Sequence, residues 1–416
     1  MKGRDMTSRA EIDSDKIVDI DLGSQEFKRN ARAIVAEWAL SDPFYVQSED
    51  HVEVVVGRYA DVSDVFSDTV RFASELPKSR GFEKFDKFMG IQTLAQTDGE
   101  PHDRIKKLLL PAFSARGLAR LEDRITGIVD RMLDDIEASG NAFDGMADFG
   151  ARIIGGALLD AMLNLDDGQK EVFLSLHEVL PLTTYTKPGE DYPPECVAAF
   201  ARAKDMVARI IDERRKNPGE DFISELIAAR DEGDKLNDDE LFNQTFTVCG
   251  AALSATSRAM GGALYTLFSH PEQLAILRAN PSLIGGGVEE CLRYAAGGYF
   301  TFPRIATTDT MLGGTAIAKG MVVRPSPQAA NLDPLMYPDP LRFDVRRNPR
   351  RIVAFGSGAH HCIGNRLGRM AIAIAVERLL ARFPHARLAD PDFVPVYGGA
   401  VGELRIFKLP MVSRPH

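Results

Sequence analysis

The 416-residue sequence reads as a mainly α protein with a small β portion. Three observations point there. Long stretches carry apolar residues at helical spacing, with start and stop signals at their ends. Runs that suit strands are few and short, and they sit among Gly-rich turns. Near the C-terminus, one cysteine in a glycine framework stands at the mouth of an apolar helix.

The elements follow in order. A tail that looks loose to about Asp19 gives way to a helical stretch containing Trp38. His51-Val-Glu-Val-Val-Val56 alternates and then turns apolar, as a strand does. Tyr59 to Phe66 reads as a short amphipathic helix, while residues 74–97 show no period and read as a long loop. From His102 to about Leu236 the pattern is mostly helical, interrupted at 183–194 by a Thr-, Gly- and Pro-rich run. Loops of that length inside a compact domain usually act as lids or binding loops. Asn237 with Glu240 forms a capping-box signature for a long helix. It should stop at Ser269-His270-Pro271, where Pro271 suits the first turn of the next helix. Beyond Tyr294, Phe300-Thr-Phe302 and Met321-Val-Val323 look strand-like. Asn365 to Phe383 is predicted helical from Leu367, Met370, Ala371, Ile374 and Leu379. No repeat or linker divides the chain, so residues 1–416 are expected to form one domain.

Composition excludes several classes. Hydrophobic content of 44% and charged content of 26% describe a globular chain with ample core. A net charge of −10 argues against nucleic acid as a partner. Four cysteines without paired spacing point to a reducing compartment. No run approaches the ~20 apolar residues of a membrane helix, and Met1 to Lys16 lacks the apolar core of a signal peptide. The expectation is a cytoplasmic, membrane-free monomer.

Phe355-Gly-Ser-Gly-Ala-His-His-Cys362-Ile-Gly364 carries the most chemistry. At a helix N-terminus, free N–H groups and the positive end of the dipole stabilise a thiolate. Gly356, Gly358 and Gly364 permit positive φ and let backbone approach something flat and bulky. Such a thiolate suits a haem iron. A zinc knuckle from His360, His361 and Cys362 would need paired ligand spacings, and Cys196, Cys249 and Cys291 stand apart. A buried structural thiol is the other plain alternative. The run resembles the haem-binding loop of the cytochrome P450 family, F-G-x-G-x-H-x-C-x-G, with Leu367 and Arg369 matching beyond it. The resemblance implies a helical prism with haem b between the long central helix and the helix after the cysteine. It makes Cys362 the axial iron ligand, packs Phe355 against its sulfur and puts His360 near a haem propionate.

Other motifs extend the resemblance from about residue 45 to the C-terminus. Glu290-Cys-Leu-Arg293 puts a carboxylate and a guanidinium one turn apart. It is similar to the family's E-x-x-R, with Arg342 of Pro340-Leu-Arg-Phe343 as the implied third member of a buried structural cluster. His102 and Arg104 resemble the start of the family's propionate-contacting helix, with Lys106 where an arginine is usual. Arg304 matches the other propionate-binding arginine. Without the resemblance, each of these charges would be an ordinary surface group.

Ala251-Ala-Leu-Ser254-Ala255-Thr256 falls where relatives carry A-G-x-[D/E]-T-[T/S]. Ser254 replaces the acid, Ala255 replaces the threonine, and Thr256 keeps the second hydroxyl. In relatives the acid and alcohol deliver protons to bound oxygen, and a serine cannot replace an ionisable acid. The resemblance also implies a substrate pocket lined by Ala251, Gly298, Phe300 and Thr301, with core packing as the alternative for the phenylalanine. Apolar lining with scattered hydroxyls suits a mainly hydrophobic small molecule. Arg346, Arg347, Arg350, Arg351 and Arg366 form a basic cluster around the loop, either a solvated charge run or a docking face for an acidic ferredoxin or flavodoxin. The implied function is that of a monooxygenase using O2 and electrons from that partner, with an atypical proton relay. The alternatives are an atypical transformation (oxidative coupling, dehydration or rearrangement) and a non-catalytic haem-binding sensor.

Overall fold

A computed structural model describes residues 16–48, 51–74, 93–153, 159–179, 190–229, 233–295, 297–399 and 401–414. Its helices are α1 (Gln25–Trp38), α2 (Tyr59–Ser67), α3 (Gly99–Leu109), α4 (Ala115–Ser139), α5 (Leu159–Leu163), α6 (Asp167–Val179), α7 (Pro194–Lys216), α8 (Phe222–Ala228), α9 (Asp238–Phe268), α10 (Pro271–Ala279), α11 (Ile284–Tyr294), α12 (Pro327–Ala330) and α13 (Asn365–Arg382). The strands are β1 (Ile17–Val18), β2 (Phe44–Ser48), β3 (His51–Val56), β4 (Phe72–Ala73), β5 (Ala142–Asp144), β6 (Arg304–Ala306), β7 (Thr310–Leu312), β8 (Thr315–Ile317), β9 (Val322–Pro325), β10 (Arg387–Leu388), β11 (Tyr397–Gly398), β12 (Arg405–Ile406) and β13 (Pro410–Val412).

The 31-residue α9 runs through the helical part and packs against α6, α7, α11 and α13. Its start is fixed as the sequence suggests. The Asn237 side chain accepts from the Glu240 N–H at 2.9 Å, and the Glu240 carboxylate accepts from the Asn237 N–H at 2.9 Å. Removing that cap by Asn237→Ala should cost about 1 kcal/mol, read as a lower urea midpoint with an unchanged slope. Pro271 occupies the first turn of α10. Leu241, Phe246, Met260, Leu264 and Leu267 of α9 are buried in one large apolar core with Leu133, Phe149 and Leu379.

Beside this layer lies a sheet of order β1-β2-β3-β9-β6-β4. β2 and β3 pair antiparallel, and β3 and β9 pair parallel. Val54, Val56, Phe72 and Val323 bury one face against Val62, Val65 and Phe66 of α2.

Three boundaries differ from the sequence reading. The expected loose tail already forms a strand at Ile17–Val18, parallel to Tyr45–Val46. The strand expected at Met321–Val323 is Val322–Pro325. Phe300–Phe302 is not a strand, because its neighbourhood is held by Gly402, whose carbonyl accepts from the Tyr299 N–H (2.8 Å) and the Phe300 N–H (3.3 Å). Most of the 74–97 loop and residues 183–189 lie outside the described residues; Leu94–Gln96 is a short 3-10 turn.

Candidate active site

The cysteine loop is shaped by two glycines. Gly356 and Gly358 have φ of 69° and 67°, in the left-handed region that favours glycine. At Gly358 a Cβ would also lie 2.6 Å from the Phe66 carbonyl oxygen, so the loop presses directly on α2. Gly364 does not need the same freedom: its φ is −85°, and a Cβ there would make ordinary contact with Phe113. The Cys362 N–H donates to the Phe355 carbonyl at 2.9 Å, and the Asn365 side-chain amide donates to the Cys362 carbonyl at 2.7 Å. Arg369 lies 4.2 Å over the Phe355 ring while its guanidinium binds Glu289, which restrains that ring.

Cys362 is exposed as a residue, whereas Cys196, Cys249 and Cys291 are buried. Enough protein crowds the sulfur that desolvation pushes its pKa up; the Gly364 N–H, Arg369 and Lys106 oppose that rise. Those three groups would favour a thiolate at Cys362 if a metal were held there. Among the described residues no three His, Cys, Asp or Glu side chains gather as a metal cage. The zinc-knuckle arrangement is not formed, since His360 Nε2 engages Asp98 at 2.7 Å and Ser74 at 3.0 Å.

Of the residues assigned to a propionate edge, His102 and His360 stand together, while Arg304 feels the charge of Asp98, which His360 binds. His102 is 2% exposed and Arg304 4% exposed, and the His102 and His360 rings stand 4.4 Å apart. Among the described residues Arg304 Nη1 reaches only neighbouring carbonyls, of Phe302 at 3.4 Å and Pro303 at 3.2 Å, and its Nε is buried without a partner. Burial lowers the Arg304 pKa, and Asp98 partly offsets this. A buried guanidinium with an orphaned N–H is costly unless an anion meets it. The donor set therefore fits haem: a thiol for the iron, and a buried cation with an orphaned N–H, together with a pair of histidines, for a carboxylate edge. Lys106 donates to the Ala359 carbonyl, so it braces the loop itself. Arg104 turns away and pairs with Asp234 and Glu240 at the start of α9.

The structural cluster needs one correction. Glu290 and Arg293 are fully buried and pair doubly, with Nε–Oε2 at 2.7 Å and Nη2–Oε1 at 2.9 Å. The third member is Arg347, whose Nε meets Glu290 Oε1 at 3.1 Å. The Arg342 side chain instead points to solvent and to Asp344. Arg342 takes part only through its backbone carbonyl, which accepts from Arg347 Nη2 at 3.0 Å. This also thins the basic cluster, because Arg347 faces inward and Arg346 binds Asp344. Arg350, Arg351 and Arg366 remain exposed.

On α9, Ala251 and Ala255 are exposed and Thr256 is half-buried, although this helix is otherwise largely buried. The Ser254 side chain lies outside the described residues. A Cβ at Gly250 would meet nothing within 4 Å, so open space adjoins this part of the helix. Gly298 forms a bridge to Glu403, and Thr301 is half-buried. Phe300 stacks on Trp38 at 5.7 Å, which is core packing, while Phe302 is 59% exposed.

Sequence reasoning missed the β11–β12 hairpin. Its tip docks on the 297–300 segment through the Leu404 N–H, which donates to the Gly297 carbonyl at 2.9 Å. Glu403 binds Arg258 of α9. The available signal was Gly398-Gly-Ala-Val-Gly402, a turn-rich run between short apolar stretches.

The cytochrome P450 family model matches residues 40–397. Nocardicin C N-oxygenase of Nocardia uniformis subsp. tsuyamanensis is 33% identical over 83% of this chain and 86% of its own. Mycinamicin IV hydroxylase/epoxidase of Micromonospora griseorubida is 33% identical over 81% and 84%. The solved structure of epothilone D-bound cytochrome P450epoK superposes with a TM-score of 0.86 at 26% identity, covering 96% of this chain and 100% of that one. No helix among the described residues is long and apolar enough to cross a membrane.

Proposed function

This chain belongs to the cytochrome P450 family and is a monooxygenase of it; from that premise we propose that it oxidises a mainly hydrophobic small molecule through a proton relay that its own central helix does not complete. The observation that carries this is the exposed Ala255 on α9, at the position where an alcohol would stand. The relatives named for nocardicin C and mycinamicin IV make a small organic substrate the natural reading.

Cys362 would hold the iron of haem b, and His102, Arg304 and His360 its carboxylates. Bound there, haem supplies the activation of O2 and the insertion of one oxygen atom. The chain's own residues do the rest. The Gly364 N–H stabilises negative charge on sulfur. Arg369 holds Phe355 in the loop. Ala255 has no proton to hold or pass. The Thr256 hydroxyl can orient water, but its pKa is far too high for an ordinary acid. A hydroxyl or carbonyl of the substrate, or water held by Ser254 and Thr256, therefore completes the route. Electrons come from an acidic ferredoxin or flavodoxin docked near Arg350, Arg351 and Arg366, and the protein works as a cytoplasmic monomer.

Ala255→Thr tests the relay. With a plain hydrocarbon probe, the variant should release less peroxide per NAD(P)H consumed, because a hydroxyl is restored. With the natural substrate, coupling should stay as in the parent. A comparable fall in both cases would show that nothing stands in for the missing alcohol.

A further inference from the structure

Asp98 stands at the start of α3 without capping it. Its φ of −110° and ψ of 165° are those of an N-cap, yet among the described residues its side chain makes no capping hydrogen bond. An aspartate there ordinarily accepts from the N–H of the second or third helical residue. In α3 the third residue is Pro101, which has no N–H to give. The carboxylate turns instead to the cysteine loop. Its Oδ1 accepts from His360 Nε2 at 2.7 Å, and its Oδ2 accepts from the Ser74 N–H.

This carboxylate is charged and only partly screened. Burial pushes its pKa up, but the hydrogen bonds from His360 and Ser74 outweigh that and hold it below the ordinary aspartate value. The Asp98 side chain is 17% exposed and the His360 side chain 7%. Asp103, which meets His102 Nδ1 at 2.9 Å, is 74% exposed, so water screens its charge far more. The field of Asp98 also reaches Arg304, whose positive charge it favours. Asp98 therefore adds a fixed negative charge to the groups that the haem carboxylates would meet. The histidine it holds lies two residues before Cys362.

We propose that Asp98 lowers the reduction potential of the haem iron, its charge opposing the electron that reduction adds. The proposal rests on the monooxygenase reading above and names a residue that governs how readily the iron takes that electron. A carboxylate in a partly dry setting acts on such a change of charge more strongly than one in water. Charge, hydrogen bonding and burial are the levers by which a protein moves an iron potential. Charge and position can be separated here, because Ser74 Oγ also meets His360 Nε2, at 3.0 Å, and carries no charge.

Spectroelectrochemical titration of haem-loaded protein, at fixed pH and salt, reads the balance of oxidised and reduced iron. Asp98→Asn should move that balance toward reduced iron by about threefold to tenfold, the upper figure being about 59 mV for a one-electron couple. Asp98→Glu keeps the charge and should move it by less than about twofold. Ser74→Ala loosens His360 without changing charge, and Glu100→Gln removes an exposed charge from the same helix. Both should leave the potential as in the parent. An unchanged or lowered potential in Asp98→Asn would overturn the proposal. So would an equal rise in Ser74→Ala, which would make the effect one of position alone. Loss of haem from Asp98→Asn would also overturn it, because removing a like charge should leave the haem carboxylates held at least as well. A carbon-monoxide difference spectrum of the same preparations reports thiolate ligation, so a failure of the haem-thiolate reading appears there instead.

Discussion

Cys362→Ser is expected to reduce turnover to background and to remove the thiolate signature from the carbon-monoxide spectrum of the reduced protein. The fold itself should barely change. Cys362 is exposed, its backbone bonds to Phe355 and Asn365 do not involve sulfur, and a serine hydroxyl can still accept from the Gly364 N–H. A stability change of no more than about 1 kcal/mol is therefore expected, since the residue is exposed although its sulfur is crowded and meets the Gly364 N–H. What is lost is the anionic sulfur, because serine does not ionise in the working range and thiolate donation drives oxygen chemistry in this class of site. Stability in urea, haem content and the spectrum, measured on one preparation, separate these contributions. A variant that kept both the spectrum and the turnover would show that Cys362 is not the iron ligand.

The loop was legible because its chemistry is local. Glycines at fixed offsets, one cysteine and a helix start lie within a single run, so Phe355 to Gly364 needed no knowledge of distant contacts. The same holds for the Asn237 cap and for Pro271. Even there the reading went one glycine too far, because Gly364 adopts an ordinary φ and only Gly356 and Gly358 need the left-handed region.

Partners set by long-range packing were harder to see. Arg342 and Arg347 are both arginines in an irregular stretch, and no period says which turns inward. That choice is made by carbonyls of Pro338, Asp339 and Arg342, which accept from Arg347 and draw it toward Glu290. Phe300 read as a strand residue because aromatic and β-branched neighbours suit strands. Its backbone is instead tied to Gly402 and its ring to Trp38, residues far away in sequence. The β11–β12 hairpin escaped for the same reason: its strands are two residues each, and its importance comes from where it docks.

Glu290→Gln is expected to destabilise the protein by about 3–5 kcal/mol, a fifth or more of the roughly 5–15 kcal/mol that holds a typical domain folded. Glu290 has no exposed surface, and it accepts from Arg293, Arg347 and the Asp344 N–H. Glutamine keeps the volume, but it removes the charge and turns an N–H2 group toward two guanidiniums. The damage should reach the cysteine loop by a traceable route. Arg293 Nη1 donates to the carbonyls of Asn331 (3.0 Å) and Pro340 (2.8 Å). Asn331 Oδ1 in turn accepts from the Val353 N–H at 2.8 Å, two residues before Phe355. Loosening Arg293 therefore loosens the segment that carries the loop, and haem content should fall along with the urea midpoint. Arg342→Ala is the control: its side chain is exposed, so a change within about 0.5 kcal/mol is expected. If the glutamine variant instead lost less than about 1 kcal/mol, the pair would contribute no more than an ordinary hydrogen bond, and the loop would have to be held chiefly by its own glycine turns and its contact with α2.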